Sequence, residues 1–189
     1  MPKPTALPSK SPAAGPLLAL LLAFAAALPA AAEPEKLVID PARSKLTFLL
    51  GATGHDVAGT LAIERGEITF DRATGAAGGE IVIDALRAAT GSSGRDEKMH
   101  AEVLQSAKFP AIRFRPEKLE GRLEAAGKSL IGLRGKVVLL GVEHELLLPA
   151  EVEIDGGKVV AGATFAIPYV AWGLEDPSIF VLKVAKEVQ

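Results

Sequence analysis

Cysteine is absent from the 189 residues. With it go structural disulfides, thiolate metal sites, Cys-x-x-Cys-His haem attachment and a lipidated N-terminal cysteine. This absence does not place the chain in a reducing compartment, because an oxidising one permits disulfides without requiring them. Histidine is nearly as scarce, with three in the chain, and aromatic residues make up only 5%. Acidic residues are missing from the first 32 positions. No long apolar run follows the one that those positions contain. Basic excess is missing too: the formal net charge is −2, which offers nothing to nucleic acid or to an anionic membrane face.

What the first 32 residues do contain is Lys3 and Lys10 followed by the apolar run from Leu17 to Leu28. Basic residues, then an apolar stretch, then small residues is the order of a secretory signal peptide. The run is shorter than the roughly 20 residues that a bilayer span needs. Pro29 follows it, and Ala30-Ala31-Ala32 supplies small side chains for cleavage. The expected cut lies after Ala32, and an uncleaved anchor helix is the alternative. Residues 33–189 then form one exported, periplasmic domain large enough to bury its own core. Without the two leader lysines, 19 basic residues face 23 acidic ones, a net charge of −4.

Past Glu33 the chain consists of short alternating apolar runs separated by glycine-rich or charged turns, the pattern of antiparallel β structure. Leu46, Phe48 and Leu50 share one face of a strand, and Val57, Gly59, Leu61 and Ile63 share one face of the next. Arg65-Gly66-Glu67 reads as a tight turn before Ile68 and Phe70, and 71–75 as a second. Ile81 and Ile83 begin another strand. Ala111 to Leu119, Lys128 to Gly141, Leu146 to Leu148, Val152 with Ile154, Val159 to Ile167 and Ile179 to Val184 supply the rest. The Val137–Leu140 stretch is apolar on both faces, which predicts full burial. One segment breaks the rhythm: from Ser93 to Gln105, Met99, Val103 and Leu104 fall on one helical face. Asp96 and Glu97 sit in the first turn of that helix, where they complement its dipole. Eight to ten strands with a single helix describe a filled sandwich or a barrel, and the pattern does not choose between them.

Catalytic motifs are missing. Ser92 and Ser93 lie in Thr-Gly-Ser-Ser-Gly, which is not a nucleophile elbow. The glycine-bearing stretch from Gly51 to Gly54 lacks the lysine and the following helix of a phosphate loop.

One ordered set of short motifs resembles the YceI-like family of bacterial lipid-binding proteins. The set runs Val38-Ile39-Asp40-Pro41, Arg43 to Phe48, Gly59, Gly66 to Asp71, Gly94-Arg95-Asp96, Lys108 to Phe114, Gly135 to Val142, and Trp172-Gly173-Leu174. It spans Leu37 to the C-terminus. The resemblance implies a mostly β fold, an extended antiparallel lipocalin-like barrel of about eight strands with one short helix near residues 94–105. It implies a polyisoprenoid or similar amphiphile held in the interior, and no catalysis. Two places depart from the family pattern: Gly141-Val142-Glu143-His144-Glu145, and the histidine in Gly54-His55-Asp56.

Under that resemblance Phe48, Leu50, Phe70, Phe114, Leu139, Phe165 and Trp172 line a tunnel, whereas composition alone would make the aromatics an ordinary core. Arg95 and Asp96 near the mouth would position a polar head group, the guanidinium suiting a phosphate or carbonyl. The reading requires no cofactor and no nucleic acid. It expects an isoprenoid-type lipid such as a quinone or polyprenol, transient contact with a membrane or membrane protein, and a monomer or homodimer. The alternative is a metal-binding or redox-accessory protein in which His55, His100 and His144 converge on a divalent cation. A β-sandwich adhesion module with a solid core is the third reading.

Overall fold

The computed structural model describes residues 33–178 and 185–188. The expected leader, 1–32, and the expected strand from Ile179 to Val184 therefore lie outside the described residues. The described residues form eight strands: β1 (Glu35–Val38), β2 (Leu46–Ala52), β3 (His55–Phe70), β4 (Ala77–Ala89), β5 (Ala111–Glu120), β6 (Gly127–Leu139), β7 (Val142–Asp155) and β8 (Lys158–Ala163). They make one antiparallel sheet in the order β1-β3-β4-β5-β6-β7-β8, with β2 also paired to β3. The sheet curls into a half-barrel. Among the described residues a short 3-10 turn, Pro41–Arg43, separates β1 from β2, and one longer helical segment lies between β4 and β5: α1 (Ser93–Lys98) widens into one π-helical turn over Met99–Val103.

The turns follow from local chemistry. After β3, the Asp71 carboxylate accepts hydrogen bonds from the backbone of Ala73 (2.7 Å) and Thr74 (3.3 Å), an Asx turn that reverses the chain. Gly156 and Gly157 both have positive φ, the twist that a two-residue hairpin loop requires. Leu140 and Gly141 make the equivalent loop between β6 and β7, with φ of 50° and 78°.

Three sequence expectations need correction. Arg65-Gly66-Glu67 is no turn. β3 runs through it for 16 residues, and its alternation is disturbed instead by register shifts between Thr60 and Ala62 and between Ile63 and Arg65. Gly66 belongs there because Ile39 lies over it, with Cδ1 2.6 Å from where a Cβ would stand. Leu146–Leu148 and the Val152–Ile154 pair belong to one 14-residue strand, β7. β8 ends at Ala163, so Phe165 lies beyond the ladder and not within a strand reaching Ile167.

Alternation on β5, β6 and β7 places the core on the concave side. Phe70, Phe114, Leu119, Leu123, Leu133, Val137 and Val152 form one buried cluster. Leu139, Tyr169 and Leu174 form a second, against which Val103 and Leu104 of the helical segment pack. Ile112 and Trp172 touch both clusters. Val137 and Leu139 are buried while Val138 and Leu140 are half-buried, so the run that is apolar on both faces is sealed on one of them. The outer face carries charge: Glu80 is paired with Arg65, Arg113 and Arg115. Val82, opposite both Arg65 and Arg113 in the ladders, is 1% exposed.

Candidate functional site

Cross-strand register defines the inner face. Gly66 stands opposite Ile81, Ile81 opposite Phe114, Phe114 opposite Val137, and Val137 opposite His144. Side chains directly opposite each other share a face, so this row crosses β3 to β7 as glycine, isoleucine, phenylalanine, valine and then an imidazole. The next inward positions of β7 are Leu146, Leu148, Ala150, Val152 and Ile154. Of these only Val152 is buried, and the others are half-buried against the core. Ile81, Ile112 and Ile131 are likewise half-buried.

The proposed lining residues have different surroundings. Phe70 and Phe114 are core residues of the first cluster. Leu139 belongs to the second, with Leu50 packed on it, and Trp172 bridges the two. Phe48 covers Gly59, its cross-strand partner. Phe165 is half-buried beyond β8. Arg95 is exposed and folds back on Thr90, its guanidinium donating to Thr90 Oγ1 (3.3 Å) and to the Thr90 carbonyl (3.4 Å). Asp96 does more than sit near a dipole: it accepts from Thr90 N (2.7 Å) and Thr90 Oγ1 (2.6 Å). Those bonds, with smaller help from the Arg95 guanidinium, hold its carboxyl below the usual aspartate range.

The histidines occupy one end of the sheet, as the strand order requires: His55 opens β3, His100 follows β4 and His144 opens β7. They do not gather. Among the described residues no group of three His, Asp or Glu side chains stands where it could hold a metal ion. His55 is exposed on its hairpin. His100 lies 3.0 Å from the Ala88 carbonyl through Nε2 and 2.9 Å from Ser106 Oγ through Nδ1. A carbonyl only accepts, so Nε2 carries the proton and Nδ1 receives the Ser106 hydroxyl. Both ring nitrogens are thereby engaged, and the ring fastens the helical segment to the end of β4.

His144 differs. It is the third residue of an inward-alternating strand and not part of the Leu140-Gly141 loop itself. Its ring stacks on Trp172 at a centroid distance of 4.5 Å and an interplanar angle of 7°. Its Nε2 is buried, and it is the one such side-chain atom among the described residues with no hydrogen-bond partner. The signal for this was present: Leu146 and Leu148 point inward, and the same parity carried back two residues reaches 144. Tyr169 was missed altogether. It is 4% exposed, donates its hydroxyl to the Ala185 carbonyl at 2.7 Å, and has its phenol pushed up to about 12 by burial and by the charge of Asp176.

The YceI-like domain family matches residues 37–189. Among solved structures the chain is similar to Burkholderia cenocepacia BcnA, with 19% sequence identity and a TM-score of 0.64 over 80% of this chain and 94% of that one. It is also similar to a polyisoprenoid binding domain from Saccharophagus degradans implicated in plant cell wall breakdown, with 16% identity and a TM-score of 0.63 over 81% of this chain and 92% of that one. At these identities the likeness is one of fold. No curated protein matches.

Proposed function

Because the chain belongs to the YceI-like domain family, we propose that it binds a long apolar lipid of the isoprenoid class against the concave face of its sheet and carries out no chemistry on it. The observation that carries this reading is the inner face of β7 and its neighbours. Leu146, Leu148, Ile154, Ile81, Ile112 and Ile131 face inward yet are only half-buried. A filled core would seal them. A hydrocarbon chain laid along them completes that burial at about 25 cal/mol per Å² of apolar surface, less the cost of association. The polyisoprenoid-binding description of the Saccharophagus degradans domain supports the choice of lipid class. Export to the periplasm by the leader over residues 1–32 belongs to the same proposal, with the lipid carried or stored there between membranes.

The experiment is organic extraction of protein purified from the periplasm, followed by mass spectrometry. The expected result is a co-purifying isoprenoid in near-stoichiometric amount. Protein that carries none, and that takes up none when offered a polyprenol or a quinone in detergent, overturns the reading.

A further inference from the structure

We propose that His144 Nε2 is the hydrogen-bonding anchor for the polar end of the bound lipid, so that the ligand is an amphiphile bearing an oxygen on its head group and not a bare hydrocarbon. This rests on the lipid-binding reading above and adds to it where the head lies and which atom recognises it. The row from Gly66 through Ile81, Phe114 and Val137 presents no side-chain polar atom until it reaches His144. At that point a ring nitrogen is buried with no protein group to pair it. An unpaired buried polar atom is costly, and a partner that completes its hydrogen bond gains more than an exposed pair would. The other buried polar side chains have partners: Ser129 Oγ accepts from Glu124 N at 2.9 Å, and Ser106 bonds His100.

The chemistry this site takes is an oxygen. A quinone carbonyl is an acceptor only and pairs with the tautomer that carries hydrogen on Nε2. A polyprenol hydroxyl both donates and accepts, and pairs with either tautomer. Because Nε2 is sealed from solvent, a neighbouring group must yield for the oxygen to reach it. Trp172 packs on the ring from a turn and not from the ladder, so it can shift without breaking a strand pair. The aliphatic remainder of the ligand then runs from this end along Leu146, Leu148 and Ile154 toward the β7–β8 hairpin.

Affinities of the full mature protein are to be measured for three probes: the polyprenol solanesol, a long-chain ubiquinone, and the oxygen-free isoprenoid squalene. Wild type is expected to hold at least one oxygen-bearing probe about tenfold more tightly than squalene, the scale of one buried hydrogen bond. His144→Phe keeps a flat ring on Trp172 and removes the nitrogen. It is expected to abolish that preference, and His144→Gln, which restores a polar nitrogen at similar reach, is expected to recover part of it. The probe that responds identifies the head group as hydroxyl or carbonyl. Equal wild-type affinities for all three probes, or an unaltered preference in folded His144→Phe, overturn the anchor while leaving lipid binding intact. Equal affinities in wild type overturn the anchor even where the phenylalanine variant does not fold, and His144→Gln then carries the residue-specific test. Failure of wild type to bind any probe overturns the lipid-binding reading and the anchor with it.

Discussion

His144 and Trp172 lie face to face, 4.5 Å apart and within 7° of parallel, and the indole that covers the imidazole also joins the two core clusters. Trp172 comes from a turn and His144 from a strand, so the contact ties the segment after β8 to the concave face. Trp172→Ala should lower unfolding stability by about 2 kcal/mol, below the roughly 3–5 kcal/mol of a fully buried aromatic, because Trp172 is half-buried. Urea denaturation followed by circular dichroism measures this. A loss below about 1 kcal/mol would mean that the two clusters do not depend on the bridge.

His100 should act through both nitrogens at once. His100→Phe fills the same space but leaves the Ala88 carbonyl and the buried Ser106 hydroxyl unpaired, an expected cost of about 1–3 kcal/mol. The loss should be local as well as global. Hydrogen exchange at 93–106 should accelerate more than in β6 or β7, and uniform acceleration across the sheet would argue against a clamp.

Alkaline pH provides a third test. The Tyr169 phenol is pushed up to about 12 by burial and by the charge of Asp176, whereas in the unfolded chain it titrates near its ordinary value of about 10. The folded state therefore keeps a proton that the unfolded state has released. The stability tied to that proton is fully present below pH about 10 and is lost as pH rises toward about 12. Stability measured across that window should fall in wild type and fall less in Tyr169→Phe. Parallel curves would show that Tyr169 contributes nothing to the dependence.

Gly59 and Phe48 should be coupled. A methyl group at Gly59 would overlap the Phe48 ring and stand 2.7 Å from the Ala89 carbonyl oxygen. Gly59→Ala should therefore cost about 1–3 kcal/mol through overpacking. Adding Phe48→Leu should restore part of this, because it removes the ring but not the carbonyl clash. A double-mutant cycle on thermal or urea stability measures the coupling, and strict additivity of the two changes would contradict the contact.

Most strands were legible because their residues alternate without interruption. β2 and β5 run where Leu46 to Leu50 and Ala111 to Leu119 place them, β6 follows the Lys128 to Gly141 alternation but stops at Leu139, and the Ser93–Gln105 periodicity gave the helical segment. The errors cluster where register shifts or charge break the period. Glu64-Arg65-Gly66-Glu67 resembles a turn because two consecutive exposed charges precede a glycine, whereas a bulge in β3 produces the same polar run within a continuous strand. Gly141 marks a turn in the sequence, but a leucine at positive φ before it is unexpected. That the loop is the two residues Leu140 and Gly141, with β7 starting at once after it, came only from the pairing of β6 with β7.

From the amino-acid sequence alone came the antiparallel β class, the position of the helical segment and the resemblance to the YceI-like family, because alternation, turn residues and ordered motifs are local properties of the chain. What the three histidines do could come only from the tertiary structure. Each lies near a strand end, and strand order brings those ends to one side of the sheet, yet packing gives His100 two partners, leaves His55 in solvent, and buries His144 Nε2 with none. Hydrogen-bond satisfaction depends on which groups meet across strands far apart in the chain, and no spacing of residues encodes that.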